Sequence, residues 1–204
     1  ALQDVEIRVK EVEAQKIKAE LQALKSQVNP HFFFNTLNSL YSLSLDKSEK
    51  APDMILKLSE LMRYVIYETQ DNQVTLKRQL EFLKSYVYLE QMRVDENLKV
   101  KFDVKGEHLN SRIDPLLFIA FIENAFKHGI RKCGNQGWIT IHLVVKKDKI
   151  LLKIRNSFNA CSCPPESGTA HQTGLGIEAV KKLLENSYRK SYYLDARSIG
   201  NVYA

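Results

Sequence analysis

The chain reads as an α+β protein, a helical segment followed by an α/β unit, and three observations carry that reading. Apolar residues recur every three or four positions through about residue 92, as one face of a helix requires. The interval drops to two at Leu98-Lys99-Val100-Lys101-Phe102-Asp103-Val104. Two further alternating stretches, 138–145 and 149–154, flank a Lys147-Asp148 turn and predict paired strands. Compact domains most often run to about 100 to 150 residues, so the 204 residues here predict two parts, divided as 1–72 and 73–204.

Taken in order, Leu2, Val5, Val9 and Val12, then Ala14, Ile17, Leu21, Leu24 and Val28, form a heptad-like seam with a phase slip near Lys16. The charged residues between them suit a parallel coiled-coil dimer, the alternative being one amphipathic helix packed on its own domain. Pro30 has no N–H to donate and clashes with the preceding turn, so the seam kinks or restarts just before His31 and re-aims its imidazole. Beyond a turn at 46–52, Pro52 suits a first helical turn, and Met54, Leu58, Leu61, Met62, Val65 and Ile66 continue an amphipathic run. The two helices form an antiparallel hairpin. A third helix is predicted over 76–92, carrying Leu80, Leu83, Val87 and Met92. A buried helix follows the first strand over 114–126, with Asp114 as its cap and Pro115 at its first position. Residues 156–173 are rich in Ser, Asn, Cys, Gly and Pro without a period and predict a long loop, a length at which lids and binding segments are common. A helix entered through glycines at 174–184 and a strand at 192–196 complete the chain, with another strand beginning at its end.

Composition narrows the function classes. Hydrophobic residues make up 44% and charged residues 26%, as in globular proteins. The longest apolar run, 116–122, is far below the roughly 20 residues a membrane span needs, so any membrane attachment is expected through an upstream segment. No secretory leader is visible. The net charge of +6 reads as a mildly basic solvated surface, and no aromatics interleave with a basic run, so direct nucleic-acid binding is not expected. Cys133, Cys161 and Cys163 show neither a disulfide framework nor zinc spacing, which suits a reducing cytosol.

Two clusters could carry chemistry. In Glu123-Asn124-Ala125-Phe126-Lys127-His128-Gly129, residues four apart share a face, so Glu123 lies over Lys127 and Asn124 over His128 at the end of a nearly all-apolar helix. Asn offers an oxygen to a hard cation such as Mg²⁺, Lys a point charge to phosphate, and Glu a group that orients or deprotonates a nucleophile. The plain alternative is the solvated end of an amphipathic helix. His31 shares a face with Asn35, and Asn38 continues it. A neutral imidazole nitrogen can attack phosphorus if the ring is held by a partner, and an amide one turn away can hold it. The plain alternative is a core histidine walled in by Phe32, Phe33 and Phe34.

The stretch Gln27-Val28-Asn29-Pro30-His31-Phe32-Phe33-Phe34-Asn35-Thr36-Leu37-Asn38 resembles the phosphoacceptor motif of the LytS-type sensor histidine kinases. The 123–129 cluster resembles their N-box, and Val74-Thr75-Leu76 through Glu90-Gln91-Met92-Arg93 resembles the helix between the two motifs. The likeness runs from about residue 20 to the end. It implies that 1–72 is a signalling helix with a dimerising phosphoacceptor hairpin, and that 73–204 is an ATP-binding domain of the GHKL class, with helices on one face of a mixed, largely antiparallel sheet. It implies ATP and Mg²⁺ as cofactors, with His31 as nucleophile, Asn35 beside it, Glu123 as assisting base and Asn124 as magnesium ligand. Lys127 and His128 become phosphate neighbours. Gly174 and Gly176 match a glycine box whose bare amides approach phosphate at a helix N-terminus, with 156–173 as the ATP lid.

Three features stand out against the wider pattern. Phe32 stands where many kinases have an acidic residue, as the LytS-type pattern allows, so base assistance falls to Glu123 or another group. Asn156-Ser157-Phe158 stands where GHKL proteins usually have Asp-x-Gly, so an amide replaces the carboxylate that meets adenine and a lower nucleotide affinity is expected. Ala179 and Leu183 replace an asparagine and an arginine that the family often shows. The expectation is the cytoplasmic core of an inner-membrane two-component sensor, a homodimer that phosphorylates His31 from ATP and passes the phosphoryl group to a response-regulator aspartate. The departures motivate a rival, a dimeric signalling scaffold with poor ATP binding; a GHKL ATPase doing conformational work is a third reading, disfavoured by the His31 motif.

Overall fold

The computed structural model describes residues 30–93, 98–129, 137–157, 172–189, 191–199 and 202–203. The expected seam over 2–28 and most of the expected lid lie outside the described residues.

Helix α1, Pro30–Leu45, starts on the proline, whose missing N–H would have had no intrahelical partner there. It ends in a Schellman motif. Lys47 adopts the left-handed conformation at φ 50°, the Ser48 N–H donates to the Leu43 carbonyl at 2.9 Å, and the Lys47 N–H to that of Ser44 at 3.2 Å. Helix α2, Lys50–Tyr67, then buries Ala51, Met54, Leu58, Leu61 and Tyr64, one stripe at intervals of three and four. Met62 and Ile66, which share its apolar run, lie exposed on another face together with Ile55, Leu56 and Tyr67.

A short antiparallel ladder joins β1, Val74–Thr75, to the later β3, Arg112–Ile113. Between them runs helix α3, Leu76–Arg93. Thr75 Oγ1 caps its first turn by accepting from the Arg78 N–H at 3.3 Å, and carbonyls of Ser111 and Leu109 accept from the Leu76 and Lys77 N–H groups, both at 2.8 Å. Helix α3 is buried on several faces because it stands between the hairpin and the α/β unit: Leu76, Leu80, Phe82, Leu83, Tyr86, Val87 and Leu89 all lie in the core.

The main sheet has the order β2-β4-β5-β7-β6. Strand β2, Lys99–Lys105, lies parallel to β4, Trp138–Val145, and β5, Ile150–Ser157, runs antiparallel to β4. Strands β6, Ser198–Ile199, and β7, Val202–Tyr203, form a small antiparallel pair on the edge of β5. Ile139, Ile141, Leu143 and Val145 alternate inward, and helices α4, Ile119–Gly129, and α5, Gln172–Ser187, supply Ile122, Ala125, Phe126 and Val180 to the same core. Gly106 leaves β2 at φ 120°, where an added Cβ would stand 2.0 Å from the Val145 carbonyl oxygen, so only glycine fits. The α+β class and the mixed, largely antiparallel sheet are as expected.

Four boundaries differ from the sequence reading. Asp114 and Pro115 do not open α4; residues 115–118 form a turn with Leu116 left-handed at φ 62°, and the helix begins at Ile119. The cause is tertiary. The Leu116 N–H donates to Gln79 Oε1 at 3.2 Å and the Asp114 N–H to the Tyr188 hydroxyl oxygen at 3.1 Å, while Pro115 through Phe118 are all buried. Strand β5 extends through Ser157, because Asn156 and Ser157 pair with β7, so the aperiodic stretch starts later than expected. Residues 192–196 form no strand: Tyr193 is 88% exposed, and the edge of β5 is taken by β7. Helix α5 starts at Gln172, which places Gly174 and Gly176 inside its first turns rather than ahead of it.

Candidate functional site

The 3.6-residue period of α1 sorts the histidine from its aromatic neighbours. Phe32 is buried and Phe33 partly buried, while His31 and Phe34 are exposed, so the three phenylalanines do not seal the imidazole in a core. Asn35 Nδ2 stands 3.1 Å from Nδ1 and 3.0 Å from Nε2 of His31; it donates to whichever ring nitrogen is unprotonated, so the tautomer decides between them. One turn further, the buried Thr36 hydroxyl donates to the Phe32 carbonyl at 2.8 Å and keeps this turn closed on its inner side. Asn38 is exposed, as the shared face requires.

Phe32 connects this turn to the rest of the molecule. Its ring stacks on Tyr86 of α3 with centroids 4.6 Å apart, and Tyr86 meets Phe126 of α4 edge-on at 6.3 Å. Phe126 lies one turn beyond Glu123. Burial raises the Glu123 carboxyl to about 7, the nearby Glu90 adds to the rise, and Lys127 opposes it. Glu123 Oε1 is buried without a hydrogen-bond partner among the described residues, an orphan acceptor that a cation or a donor from a ligand would satisfy. Asn124 is half-buried and Lys127 exposed, one position and one turn away on the same helix. The side chain of His128 lies outside the described residues.

Two more of the expected site residues sit on elements that pack against α4. Helix α4 contacts β5, which carries Asn156, and α5, which carries Gly174 and Gly176. Asn156 is almost wholly buried, and its Nδ2 donates to the Ser157 carbonyl at 2.9 Å. That bond orients the amide and leaves Oδ1 as the remaining acceptor. The structure therefore gathers Glu123, Asn124, Lys127, Asn156 and the two glycines onto three adjoining elements. His31 stands apart on α1, linked to them through Phe32 and Tyr86.

Among the described residues no group of three or more His, Cys, Asp or Glu side chains could hold a metal by itself. The half-buried Asn124 amide oxygen is a donor that fits a hard divalent cation keeping most of its waters and sharing substrate phosphates.

The residues that sequence reasoning gave no role are Tyr86, Glu90 and Arg93. They recur at intervals of four and three on α3 and so share a stripe. Glu90 Oε1 accepts from the Tyr86 hydroxyl and from Arg93 Nη1, both at 3.0 Å, and the Arg93 guanidinium lies 5.6 Å from the centroid of the Phe32 ring. A glutamate and an arginine three residues apart, in line with a tyrosine one turn earlier, were the available signal.

Comparison with known proteins gives the family and the fold. A family model described as histidine kinase matches residues 19–98. The sensor histidine kinase YpdA of Escherichia coli K12 is 36% identical over 140 residues, which are 69% of this chain and 25% of that protein. The sensor protein LytS of Enterococcus faecalis is 31% identical over 196 residues, 90% of this chain and 33% of that protein. The chain thus spans a quarter to a third of these relatives. A solved bacterial phosphotransferase shares the fold at a TM-score of 0.50 and 13% identity, over 93% of this chain and 95% of that one.

Proposed function

Because the chain belongs to the LytS-type sensor histidine kinases, we propose that it is the kinase core of a two-component sensor, moving the γ-phosphoryl group of ATP to His31 and then to a response-regulator aspartate. The observation that carries the reading is an exposed imidazole with an amide at hydrogen-bond distance, on a helix whose next residue packs into the wall leading to a protonatable, orphaned carboxyl.

In the transfer, an unprotonated ring nitrogen of His31 forms the N–P bond as the bond from phosphorus to the leaving ADP oxygen breaks. The proton on the other ring nitrogen then leaves, and Glu123 is its acceptor, directly or through water. A carboxyl near 7 suits that task at cellular pH, since an effective base has a pKa close to the operating pH. Lys127 supplies positive charge where phosphate charge accumulates, and Gly174 and Gly176 let backbone amides of α5 come close to phosphate. Asn124 would hold a Mg²⁺ ion, which supplies neutralisation of the triphosphate when bound. Asn156 takes the place of the adenine-binding aspartate: with its Nδ2 committed to Ser157, Oδ1 is turned to accept from an exocyclic amino group.

The domain division at 72 and 73 belongs to the same proposal, as do the homodimer and the placement of this portion on the cytoplasmic side of an inner-membrane protein. The dimer is supported by apolar side chains left exposed on the hairpin, among them Leu37, Tyr41 and Leu45 of α1 with Ile55, Met62 and Ile66 of α2. Among the described residues no helix is long and apolar enough to cross a membrane.

Incubation with γ-labelled ATP tests the reading. Acid-labile label that disappears in His31→Gln is the expected outcome, and label that persists in that variant removes His31 as nucleophile. The scaffold alternative predicts no saturable heat of Mg-ATP binding in a calorimetric titration.

A further inference from the structure

We propose that Glu90 and Arg93, near the C-terminal end of α3, are positioning residues for phosphoryl transfer, locking the head of α1 against the wall that carries Glu123; the inference rests on the kinase reading above. Three observations converge on the pair. Its side chains are each 12% exposed, against 41% and 47% for Lys57–Glu60 and 50% and 48% for Arg78–Glu81, so this is a largely desolvated pair and those are ordinary surface pairs. One oxygen of Glu90 serves two donors, Tyr86 and Arg93, which leaves neither free to turn independently. Arg93 reaches over Phe32, whose ring also stacks on Tyr86.

The consequence follows from helix geometry. His31 and Phe32 are consecutive, so about 100° of rotation separates them, and whatever fixes the Phe32 ring fixes the direction in which the imidazole leaves α1. Loss of Arg93 frees one contact of Phe32 and one of the two donors that hold Glu90. One residue pair therefore governs the aim of the nucleophile, and transfer is sensitive to misplacements of about 1 Å.

The test labels His31 in the full chain from two donors: ATP, which must be aligned by the α/β unit, and phosphoramidate, a small donor that needs no such alignment. Arg93→Ala is expected to lower ATP-dependent labelling about tenfold or more, with phosphoramidate labelling and Mg-ATP affinity unchanged, and Arg93→Lys to recover part of the loss. Glu90→Gln, which weakens the hold on Arg93, is expected to lower ATP-dependent labelling in the same sense as Arg93→Ala, with phosphoramidate labelling unchanged. Labelling from ATP that is unchanged in Arg93→Ala overturns the proposal, as does an equal loss from both donors, which marks a general disturbance of the histidine's helix. No ATP-dependent label on the unaltered chain removes the kinase reading and this inference with it. Label on the unaltered chain that persists in Arg93→Ala removes this inference alone.

Discussion

The two ends of α3 hold the molecule together in opposite ways. Gln79, near the start, is wholly buried, and its Oε1 accepts from the Tyr64 hydroxyl of α2 and from the Leu116 N–H of the turn before α4. Burial pushes the Tyr64 phenol well up, so that donor keeps its proton at any ordinary pH. Eleven residues later, about 16 Å along the helix, Glu90 also binds a tyrosine and a second element, but it does so as a charge, beside another carboxyl and at the edge of solvent. A neutral buried acceptor has one protonation state and holds its partners in one arrangement. At the charged end the neighbouring Glu123 carboxyl sits near 7 and changes charge within reach of neutral pH, and this end lies next to the helix that presents His31. Stability and responsiveness are thus assigned to different ends of one helix.

The comparison can be broken most directly at the neutral end. Gln79→Leu leaves the Tyr64 hydroxyl and the Leu116 N–H without a buried acceptor and should cost about 2 to 3 kcal/mol in denaturant unfolding, while the pH profile of His31 labelling keeps its shape. A shifted profile would show that the two ends are coupled.

At the charged end, Glu123→Gln should behave in the opposite sense. The folded carboxyl sits near 7, above its ordinary 4.5, so folding favours the protonated form, and the stability this group contributes declines as pH rises from about 4.5 through about 7. The neutral amide escapes that penalty. Stabilisation of roughly 2 kcal/mol at pH 8 and none at pH 4 is expected, together with loss of His31 labelling from ATP. Equal stability differences at both pH values would sink the assignment of a raised carboxyl.

Glu90→Gln is a subtler change at the same end. Removing a negative charge that helps raise Glu123 should move the midpoint of its titration, followed by carboxyl NMR, toward the ordinary carboxylate range, with burial, the larger cause, still holding it above 4.5 against Lys127. Smallest of all is Lys47→Gly, in the turn far along the hairpin. Glycine relieves the left-handed backbone at φ 50° and should add roughly 0.5 to 1 kcal/mol without altering labelling from either donor. Were that general stabilisation to change the labelling rate, the hairpin turn would have to be counted with the responsive end.

Local pattern was a sound guide wherever an element answers mainly to its own chain. The 138–145 strand is found at its expected boundaries, and the 76–92 helix extends by one residue to Arg93, because each carries a full period of its own and packs along its whole length. The hairpin helices and the approximate position of β2 were legible for the same reason. Pattern failed where a residue's conformation is chosen by a distant partner. Asp114 and Pro115 are good helix openers, yet Gln79, 37 residues away, holds Leu116 in a turn. The 192–196 stretch, rich in aromatic and apolar residues, was expected as a strand, yet β5 pairs with 202–203.

For the site, the order of side chains along α1 and α4 determined much: that Pro30 heads the helix of His31, that Asn35 lies one turn on, and that Glu123 shares a face with Lys127. These follow from a fixed 3.6-residue period and need no knowledge of the rest of the chain. Only the tertiary structure decided that the imidazole is exposed while Phe32 is buried, that Glu123 is desolvated and orphaned, and that Glu90 and Arg93 stand between them. Burial and electrostatic environment are sums over groups far apart in sequence, and no window along the chain contains their terms.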